Sequence, residues 1–354
     1  MARSLGLKSC LGSSAGVSRV VCLAFPPAAG PAQIARIRAA APGLEIVAAP
    51  YVEDESRRWA RSVKPMAELR ASAPPLPEEL RHALERAEIV LALDLPVDLG
   101  TFAKKLRWVQ QIGAGTEHLA GSGLGDDVTV TNSSGVAARA IAEFVVGRLL
   151  MIWKRFPEQA EAQRRKEWTQ AYGRTLAGST IAIVGIGAIG SAVARLLKAF
   201  GATVLGLKRT RTPGPPVDQL YAPEGLHAML GRADAVVLAT PGSDATRHLI
   251  DRAALAAMKS GATLVNVARG SIVDEAALAL ALASGRLGAA ALDVFDNEPL
   301  PAESPLWSLP SCYISAHCSP SLDRYVDDVL TLFEDNLRRY LAGQPLRNVV
   351  HGGG

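Results

Sequence analysis

Apolar and polar positions alternate along the chain in a way that predicts strands separated by helices. From Val17 onward, short apolar runs of strand type are followed by longer segments with helical spacing, and Pro or Gly residues separate them. Strands that alternate with helices are typical of a parallel α/β sheet. The strand-like runs in the first part of the chain are SRVVCLAF, LEIVAA, EIVLAL, KLRWVQQIG and VTVTNSSG.

A second series of strand-like runs begins after Trp168 and predicts a complete parallel sheet. The segments between these runs are long enough for crossover helices, which parallel pairing requires. Strands in this arrangement predict a doubly wound domain. The runs are TIAIVGI, ATVLGLK, AVVLAT, ATLVNVA, AAALDVF and CYISA.

Two long helical segments flank the second series. The first, from about Ala137 through Phe156, is apolar around most of its circumference, so it should be buried on more than one side. Because its apolar surface exceeds what one domain can cover, we expect a homodimer through residues 141–153. The second segment, SLDRYVDDVLTLFEDNLRRYLAG, is amphipathic and lies outside the predicted second sheet.

The composition is that of a globular protein with one large or two smaller domains. The chain has 354 residues, of which 49% are hydrophobic and 20% are charged. Its formal net charge of +4 is spread over this length and predicts no nucleic-acid partner. The four cysteines lack the spacing of metal ligands, which predicts reduced thiols, no metal site and a cytoplasmic location.

Two segments of unusual composition need separate interpretations. The uncharged stretch between Arg174 and Arg195 is about as long as a membrane span, but its glycines favour a buried strand followed by a helix, and we expect no membrane association. Residues 1–16 are rich in Ser, Gly and basic side chains. They predict a disordered extension or a start codon placed too early, with a transit peptide as the alternative.

A glycine-rich motif follows the first strand of the second series. Gly185, Gly187 and Gly190 form a GxGxxG pattern in which Ala188 and Ile189 precede the last glycine. An apolar strand precedes the motif, a helix follows it, and the next strand begins at the distance expected of a βαβ unit. Such glycines allow a pyrophosphate to approach the helix N-terminus. The motif therefore predicts a dinucleotide site, with a purely structural turn as the alternative.

The residues after the second strand of this unit indicate which dinucleotide binds. Sites for NAD usually carry Asp or Glu there, whereas this chain has Lys208, Arg209, Thr210 and Arg211. Three cations and a hydroxyl suit the 2′-phosphate of NADP. We therefore expect a preference for NADP(H), with NAD(H) possible and a solvated basic loop as the alternative.

Three polar residues at later strand ends predict an active site. Arg269 follows an apolar strand, and its planar guanidinium can bind a carboxylate through two hydrogen bonds. Glu298 lies in the loop after the next strand, and His317 follows the last strand. A glutamate beside a histidine raises the pKa of the imidazole, which can then donate a proton. Each residue alone could have a structural or surface role, but together they favour catalysis.

The ordered motifs resemble the D-isomer-specific 2-hydroxyacid dehydrogenase family, which includes glyoxylate/hydroxypyruvate reductases, D-lactate dehydrogenases and phosphoglycerate dehydrogenases. The resemblance extends from about Val17 to Asn348. It rests on GAGTEHL at 113–119, TNSSGVAARAIAE at 131–143, VGIGAIG at 184–190, NVARGSIVDE at 266–275, ALDVFDNEPLP at 291–301 and the histidine of SAHCSP.

The resemblance implies an α/β fold with two Rossmann-like domains. A doubly wound, parallel-sheet dinucleotide-binding domain, residues 137–318, would be inserted into a flavodoxin-like substrate domain, residues 17–136 plus 319–350. The helix near residues 137–156 resembles the inter-domain and dimer-forming helix of the family.

The resemblance also implies roles for individual residues. Arg269 would hold the α-carboxylate of the substrate and orient its carbonyl. His317 would exchange a proton with the C2 oxygen, while Glu298 would hold the imidazole and raise its pKa. Asp293 would contact the nicotinamide carboxamide. Further contacts to the cofactor would come from Thr240, Pro241 and Ala268, and backbone N–H groups of Ala114, Gly115 and Thr116 would help bind the carboxylate.

These inferences predict a reductase that transfers hydride from NADPH to a small 2-keto acid, with glyoxylate or hydroxypyruvate as the leading substrates. Two other functions stay open. One is an NAD-dependent dehydrogenase of another D-2-hydroxy acid, such as phosphoglycerate or lactate. The other is a non-enzymatic, dinucleotide-sensing protein that resembles the transcriptional co-repressors of the same fold.

Overall fold

The computed structural model describes residues 19–209 and 216–352, which form two α/β units. Each unit is built on one sheet, one of six strands and one of seven, and the strands are parallel except for a single antiparallel pairing. The predicted fold class is therefore confirmed. The predicted extension at residues 1–16 and Thr210 and Arg211 of the predicted basic loop lie outside the described residues.

The first sheet has the strand order β13-β5-β4-β3-β1-β2. The order of β1 to β5 is that of flavodoxin. Each of the five predicted runs contains one of these strands. The exception to the prediction is β13, a short exposed segment that pairs antiparallel with β5. The strands are β1 (Val20–Leu23), β2 (Glu45–Ala48), β3 (Ile89–Ala92), β4 (Trp108–Gln111), β5 (Thr129–Thr131) and β13 (Val349–His351).

The second sheet has the strand order β12-β11-β10-β9-β6-β7-β8, which is the Rossmann order with one additional strand at its end. The six predicted runs correspond to β6, β7 and β9 to β12, and β8 is an edge strand that the sequence pattern did not predict. The strands are β6 (Thr180–Val184), β7 (Thr203–Leu207), β8 (Gln219–Tyr221), β9 (Ala235–Leu238), β10 (Ala262–Asn266), β11 (Leu287–Leu292) and β12 (Cys312–Ile314).

Helices cover the faces of both sheets. No helix in the described ranges is both long and apolar enough to cross a membrane. The helices are α1 (Pro31–Ala40), α2 (Glu55–Val63), α3 (Met66–Ala71), α4 (Glu78–Arg86), α5 (Ala138–Trp153), α6 (Phe156–Arg164), α7 (Ala188–Ala199), α8 (Leu226–Leu230), α9 (Arg252–Ala257), α10 (Glu275–Ala283) and α11 (Tyr325–Leu341).

The long helix predicted through Phe156 ends three residues earlier in the structure, and a second helix begins at Phe156. Helix α5 ends at Trp153, and Arg155 adopts a left-handed backbone conformation with a φ of 58°. Pro157 then lies in the first turn of α6, where its missing N–H group costs no hydrogen bond. The continuous apolar pattern of the sequence therefore runs across a turn.

The packing of α5 and α11 links each helix to one sheet. Residues Val329, Leu330, Phe333 and Leu337 of α11 are buried against the first sheet. Helix α5 packs against the second sheet and α7, and this contact buries a large part of its apolar surface. Less apolar surface of α5 is thus left for a second subunit than the sequence suggested. The homodimer and the domain boundaries stay predictions.

Candidate functional site

The predicted cofactor and catalytic residues follow the carboxyl ends of strands in the second sheet. Because parallel strands end at the same edge, their loops meet there, and doubly wound folds bind ligands at this edge. Strand numbers increase outward on both sides from β6, so the topological switch point lies between β6 and β9. Gly185 follows β6, and Thr240 and Pro241 follow β9.

The glycine motif forms a tight turn between β6 and α7. Gly185 has a φ of +100°, and a Cβ atom there would lie 2.7 Å from the backbone of Ala239 and Thr240. A Cβ on Gly190 would lie 2.0 Å from the carbonyl oxygen of Gly185. A Cβ on Gly187, by contrast, would meet no described heavy atom within 4 Å. The first two positions therefore require glycine for the turn, whereas Gly187 leaves space in front of the helix.

This space fits the pyrophosphate of a dinucleotide. Gly187 is the N-cap of α7, and Ala188 and Ile189 are the first residues of the helix. Backbone N–H groups in the first turn have no acceptor within the helix, and the helix dipole favours an anion there. A phosphate in front of Gly187 would accept hydrogen bonds from these N–H groups.

The basic residues lie at the end of the second strand of the βαβ unit. Lys208 directly follows β7, and its backbone N–H donates to the carbonyl oxygen of Tyr221 in β8 at 3.1 Å. The Lys208 side chain is half-buried and Arg209 is exposed. In a Rossmann domain this position lies beside the 2′ substituent of the adenosine ribose. The placement is therefore compatible with a 2′-phosphate.

His317 and Glu298 form a direct pair. The imidazole Nδ1 lies 2.8 Å from Oε2 of Glu298, whose Oε1 accepts the backbone N–H of Phe295 at 2.9 Å. With Nδ1–H donating to the carboxylate, the other ring nitrogen, Nε2, is left to face a substrate. The hydrogen bond to Glu298 raises the pKa of His317, and the charges of Glu298 and Asp293 act in the same direction against partial burial and the charge of Arg269.

Asp293 holds the segment that carries His317. His317 has a φ of 48°, a conformation that non-glycine residues rarely adopt, and its backbone N–H donates to the carbonyl oxygen of Asp293 at 2.8 Å. The buried Asp293 carboxylate accepts the Ser315 hydroxyl at 2.6 Å and the backbone N–H groups of Cys318 and Ser319 at 3.0 Å. Asp293 therefore stabilises this turn, while its predicted contact with a carboxamide stays a prediction.

Arg269 lies in a turn that is fixed by side-chain hydrogen bonds. The buried Asn266 accepts the backbone N–H of Ala268 at 3.0 Å and donates to the carbonyl oxygen of Arg269 at 2.9 Å. The guanidinium donates to the carbonyl oxygen of Ala268 at 2.8 Å. Gly242 packs under the side chain, since a Cβ there would lie 2.9 Å from Cγ of Arg269. The turn lies against the loop that carries Glu298, since a Cβ on Gly270 would lie 1.8 Å from the backbone of Phe295, and the charge of Arg269 lowers the pKa of His317.

The predicted carboxylate-binding loop belongs to the first sheet and follows β4. Asn132 donates to the carbonyl oxygen of Ala114 at 2.6 Å, which fixes the loop from behind. No hydrogen bond between described atoms comes from the backbone N–H groups of Ala114, Gly115 or Thr116. The same described ranges contain no hydrogen bond from this loop to His317. Its membership of the site therefore stays a prediction.

Sequence reasoning missed the residues that hold the catalytic loops. Asn266 and Gly242 orient Arg269, and Gly270 allows the next loop to approach, because a Cβ there would lie 1.8 Å from the backbone of Phe295. Asn266 and Gly270 lie within the motif at 266–275, but the motif does not show which loops meet, and Gly242 lies outside the motifs. Of these three residues, only Asn266 has a local sequence signal, and it is a weak one: an Asn side chain often accepts the backbone N–H two residues further on.

The fold and the site together define a dinucleotide-binding protein of the two-sheet α/β class. Residues 146–319 match the family model described as D-isomer specific 2-hydroxyacid dehydrogenase, NAD binding domain. The chain is also 32% identical over 293 residues to the glyoxylate reductase of Aeropyrum pernix, and the match covers 78% of this chain and 87% of that protein. The chain belongs to the D-isomer-specific 2-hydroxyacid dehydrogenase family.

Solved structures of similar proteins agree with this assignment. A D-isomer specific 2-hydroxyacid dehydrogenase from Xanthobacter autotrophicus, in complex with NADPH and MES, is 30% identical with a TM-score of 0.77 and covers 94% of this chain and 98% of its own. An NADPH-dependent glyoxylate/hydroxypyruvate reductase from Sinorhizobium meliloti, in complex with NADP and sulfate, is 27% identical with a TM-score of 0.75 and the same coverage.

Other relatives are considerably longer than this chain. The D-3-phosphoglycerate dehydrogenase of Methanocaldococcus jannaschii is 29% identical over 282 residues, which make up 77% of this chain and 53% of that protein. The chain thus spans about half the length of the phosphoglycerate dehydrogenases that it matches.

Proposed function

We propose that this chain is an NADPH-dependent reductase of a small 2-keto acid, with glyoxylate and hydroxypyruvate as its substrates. The observation that carries the proposal is the His317–Glu298 pair, close to Arg269 and on the same sheet edge as the dinucleotide turn. Relatives named glyoxylate reductase and an NADPH-dependent glyoxylate/hydroxypyruvate reductase support the substrate and the cofactor.

The chemistry follows from the placement of the side chains. Arg269 binds the substrate carboxylate through its two-donor edge and thereby orients the adjacent carbonyl. The N–H groups of Ala114 to Thr116 add hydrogen bonds to the same carboxylate. NADPH bound at the turn of Gly185, Gly187 and Gly190 would supply the hydride for C2. His317 donates the proton at Nε2 to the C2 oxygen, and Glu298 stabilises the imidazolium from Nδ1 until the proton is transferred.

Turnover of a panel of 2-keto acids tests the proposal. We expect oxidation of NADPH with glyoxylate and hydroxypyruvate at higher kcat/KM than with pyruvate or 3-phosphohydroxypyruvate. A higher kcat/KM with 3-phosphohydroxypyruvate or pyruvate would favour a dehydrogenase of phosphoglycerate or lactate. Tight binding of a dinucleotide without turnover of any member of the panel would favour the sensor function and contradict the proposal.

The pH dependence of keto-acid reduction should report the pKa of His317. Because Glu298 raises that pKa, the imidazole stays protonated to higher pH, and reduction should decline as pH rises through this value. In Glu298→Gln the neutral amide no longer favours the imidazolium, so the decline should begin about one to three pH units lower. Oxidation of the hydroxy acid needs neutral His317, so its rate should rise with pH. In the same variant this rise should begin at lower pH.

Matched measurements identify the origin of this shift. Glu303→Gln removes the same charge from an exposed position in the same segment and should leave both profiles unchanged. An unchanged profile in Glu298→Gln would exclude the pair as the titrating unit.

Reversing the charge at Lys208 should change cofactor choice. A cation at the end of β7 favours a 2′-phosphate, and a charged hydrogen bond contributes about 1.5–3 kcal/mol. We therefore expect Lys208→Asp to lower kcat/KM for NADPH by roughly 10–100-fold and to leave kcat/KM for NADH equal or higher. Steady-state kinetics with both cofactors measure this change.

The control for Lys208→Asp is a charge reversal away from the cofactor. Lys104→Asp changes the net charge equally on the exposed surface of the first sheet's unit and should not alter the ratio of the two cofactors. A wild-type protein that already uses NADH as efficiently as NADPH would refute the assignment of Lys208.

A further inference from the structure

The loop that carries Glu298 is held by two carboxylates from different parts of the chain. Glu298 accepts the backbone N–H of Phe295 at 2.9 Å, and Glu275 accepts the next backbone N–H, that of Asp296, at 2.7 Å. Glu275 is the first residue of α10, so its position is set by a helix and not by the loop itself. Of two adjacent backbone N–H groups in the loop, one therefore donates to a carboxylate of the loop itself and the other to a carboxylate of α10.

The same loop lies directly on the turn that carries Arg269. A Cβ on Gly270 would lie 1.8 Å from the carbonyl carbon of Phe295 and 2.1 Å from the nitrogen of Asp296. The backbone at 295–296 is thus in contact with Gly270 and hydrogen-bonded to the carboxylate of Glu275. The contact with Gly270 is close packing, whereas Glu275 provides a hydrogen bond that holds the loop in this position.

The charges around Glu275 show that its hydrogen bond is formed at an electrostatic cost. Burial raises the pKa of Glu275, and the neighbouring charges of Asp296 and Glu298 raise it further, while the hydrogen bond from the Asp296 amide lowers it. Glu275 in turn raises the pKa of the Cys312 thiol, after the larger effect of burial. Because Asp296 and Glu298 are already nearby, a third carboxylate at Glu275 is electrostatically unfavourable, and its hydrogen bond to the loop offsets part of this cost.

We propose that Glu275 is a positioning residue, which fixes the 295–296 backbone so that the Glu298 carboxylate stays directed at Nδ1 of His317. The effect of Glu275 on turnover rests on the proposed function. Its effect on the pKa of the His317 imidazole does not depend on that function. Loss of the hydrogen bond frees the loop, weakens the contact between Glu298 and His317, and lowers the pKa of the imidazole. The other groups that act on this imidazole, Asp293 and Arg269, are unchanged.

The test is an NMR titration of the His317 imidazole in the cofactor-free protein. The signal is assigned by its absence from His317→Ala. We expect Glu275→Ala to lower the pKa by at least about 0.5 pH unit, in the direction of the larger shift in Glu298→Gln. Glu275→Gln keeps an oxygen for the Asp296 amide and should titrate near the wild type.

Two further variants separate position from charge and from stability. Glu275→Asp keeps the charge but is one methylene shorter, so it should lower the pKa as Glu275→Ala does. Asp251→Ala removes an N-cap carboxylate that accepts the backbone N–H of Ala254 at 2.8 Å, and it should lower the melting temperature without moving the titration.

The outcomes distinguish failure of this inference from failure of the proposed function. A wild-type pKa in folded Glu275→Ala or Glu275→Asp would overturn the inference, as would an equal shift in Glu275→Gln, which would assign the effect to charge. Absence of keto-acid turnover in the wild type would refute the proposed function but would leave the titration interpretable. In active protein, kcat for reduction in Glu275→Ala should decline at lower pH, with little change in KM for the keto acid.

Discussion

Replacing His317 with alanine is expected to cut keto-acid turnover by roughly 10²–10⁴-fold, the usual contribution of a general acid. The C2 oxygen must receive a proton as hydride arrives at C2, and Nε2 of His317 is the ring nitrogen that the pairing with Glu298 leaves for this task. KM for the keto acid should change much less, because the proposed contact between Arg269 and the carboxylate is kept. Steady-state kinetics at saturating NADPH measure both parameters.

The chain offers a close control for His317→Ala. His248 is an exposed residue of the same domain and has the same left-handed φ of 48°, so His248→Ala carries a similar backbone cost away from the pair. It should keep near-normal turnover. If His317 only packs against the cofactor, His317→Ala would have a lower melting temperature but near-normal turnover. This result would contradict the role of His317 as proton donor.

Much of the fold could be predicted because buried parallel strands have a strong local signal. The runs that became β6, β9 and β10 are mostly apolar, and their residues are almost completely buried in the structure. Strands β8 and β13 have three residues each and lie at sheet edges, and β13 is exposed. Their pairing depends on tertiary contacts, such as the hydrogen bond from the backbone N–H of Asn132 to the carbonyl oxygen of Asn348.

The limits of the α5 prediction have a similar origin. Hydrophobic periodicity reports which face is buried, but it does not report a single residue with a left-handed conformation such as Arg155. The prediction of a dimer used the same apolar surface. A large part of that surface packs against α7 and the second sheet, and the sequence pattern does not distinguish such a contact from one with a second subunit.

The candidate site shows the same division between local and long-range information. Arg269, Glu298 and His317 could be predicted because parallel strands end at one edge, which brings distant loops together. The hydrogen bond between Glu298 and His317 agrees with that reasoning. The residues that hold these loops could not be predicted in the same way, because the role of Glu275 depends on the approach of the 295–296 backbone, which no local motif encodes.

Replacing Arg269 with alanine is expected to raise KM for the keto acid and to lower kcat together, since in the proposed mechanism one guanidinium both binds the carboxylate and orients the carbonyl. We expect kcat/KM to decrease about 10³-fold or more, or roughly 4 kcal/mol of transition-state stabilisation. Arg269→Lys keeps the charge but loses the two-donor edge, so it should recover only part of the activity. Steady-state kinetics over a range of keto-acid concentrations separate the two parameters.

Chemical rescue and a matched arginine decide whether the guanidinium itself is responsible. Free guanidinium added to Arg269→Ala should restore part of kcat/KM, because the variant keeps the two hydrogen bonds by which Asn266 holds the backbone of the turn. Arg252→Ala, which removes an exposed arginine at the start of α9, should leave both parameters unchanged. A KM within twofold of the wild type in Arg269→Ala would show that the carboxylate binds elsewhere, and the first-sheet loop at Ala114 to Thr116 would then be its main binding site.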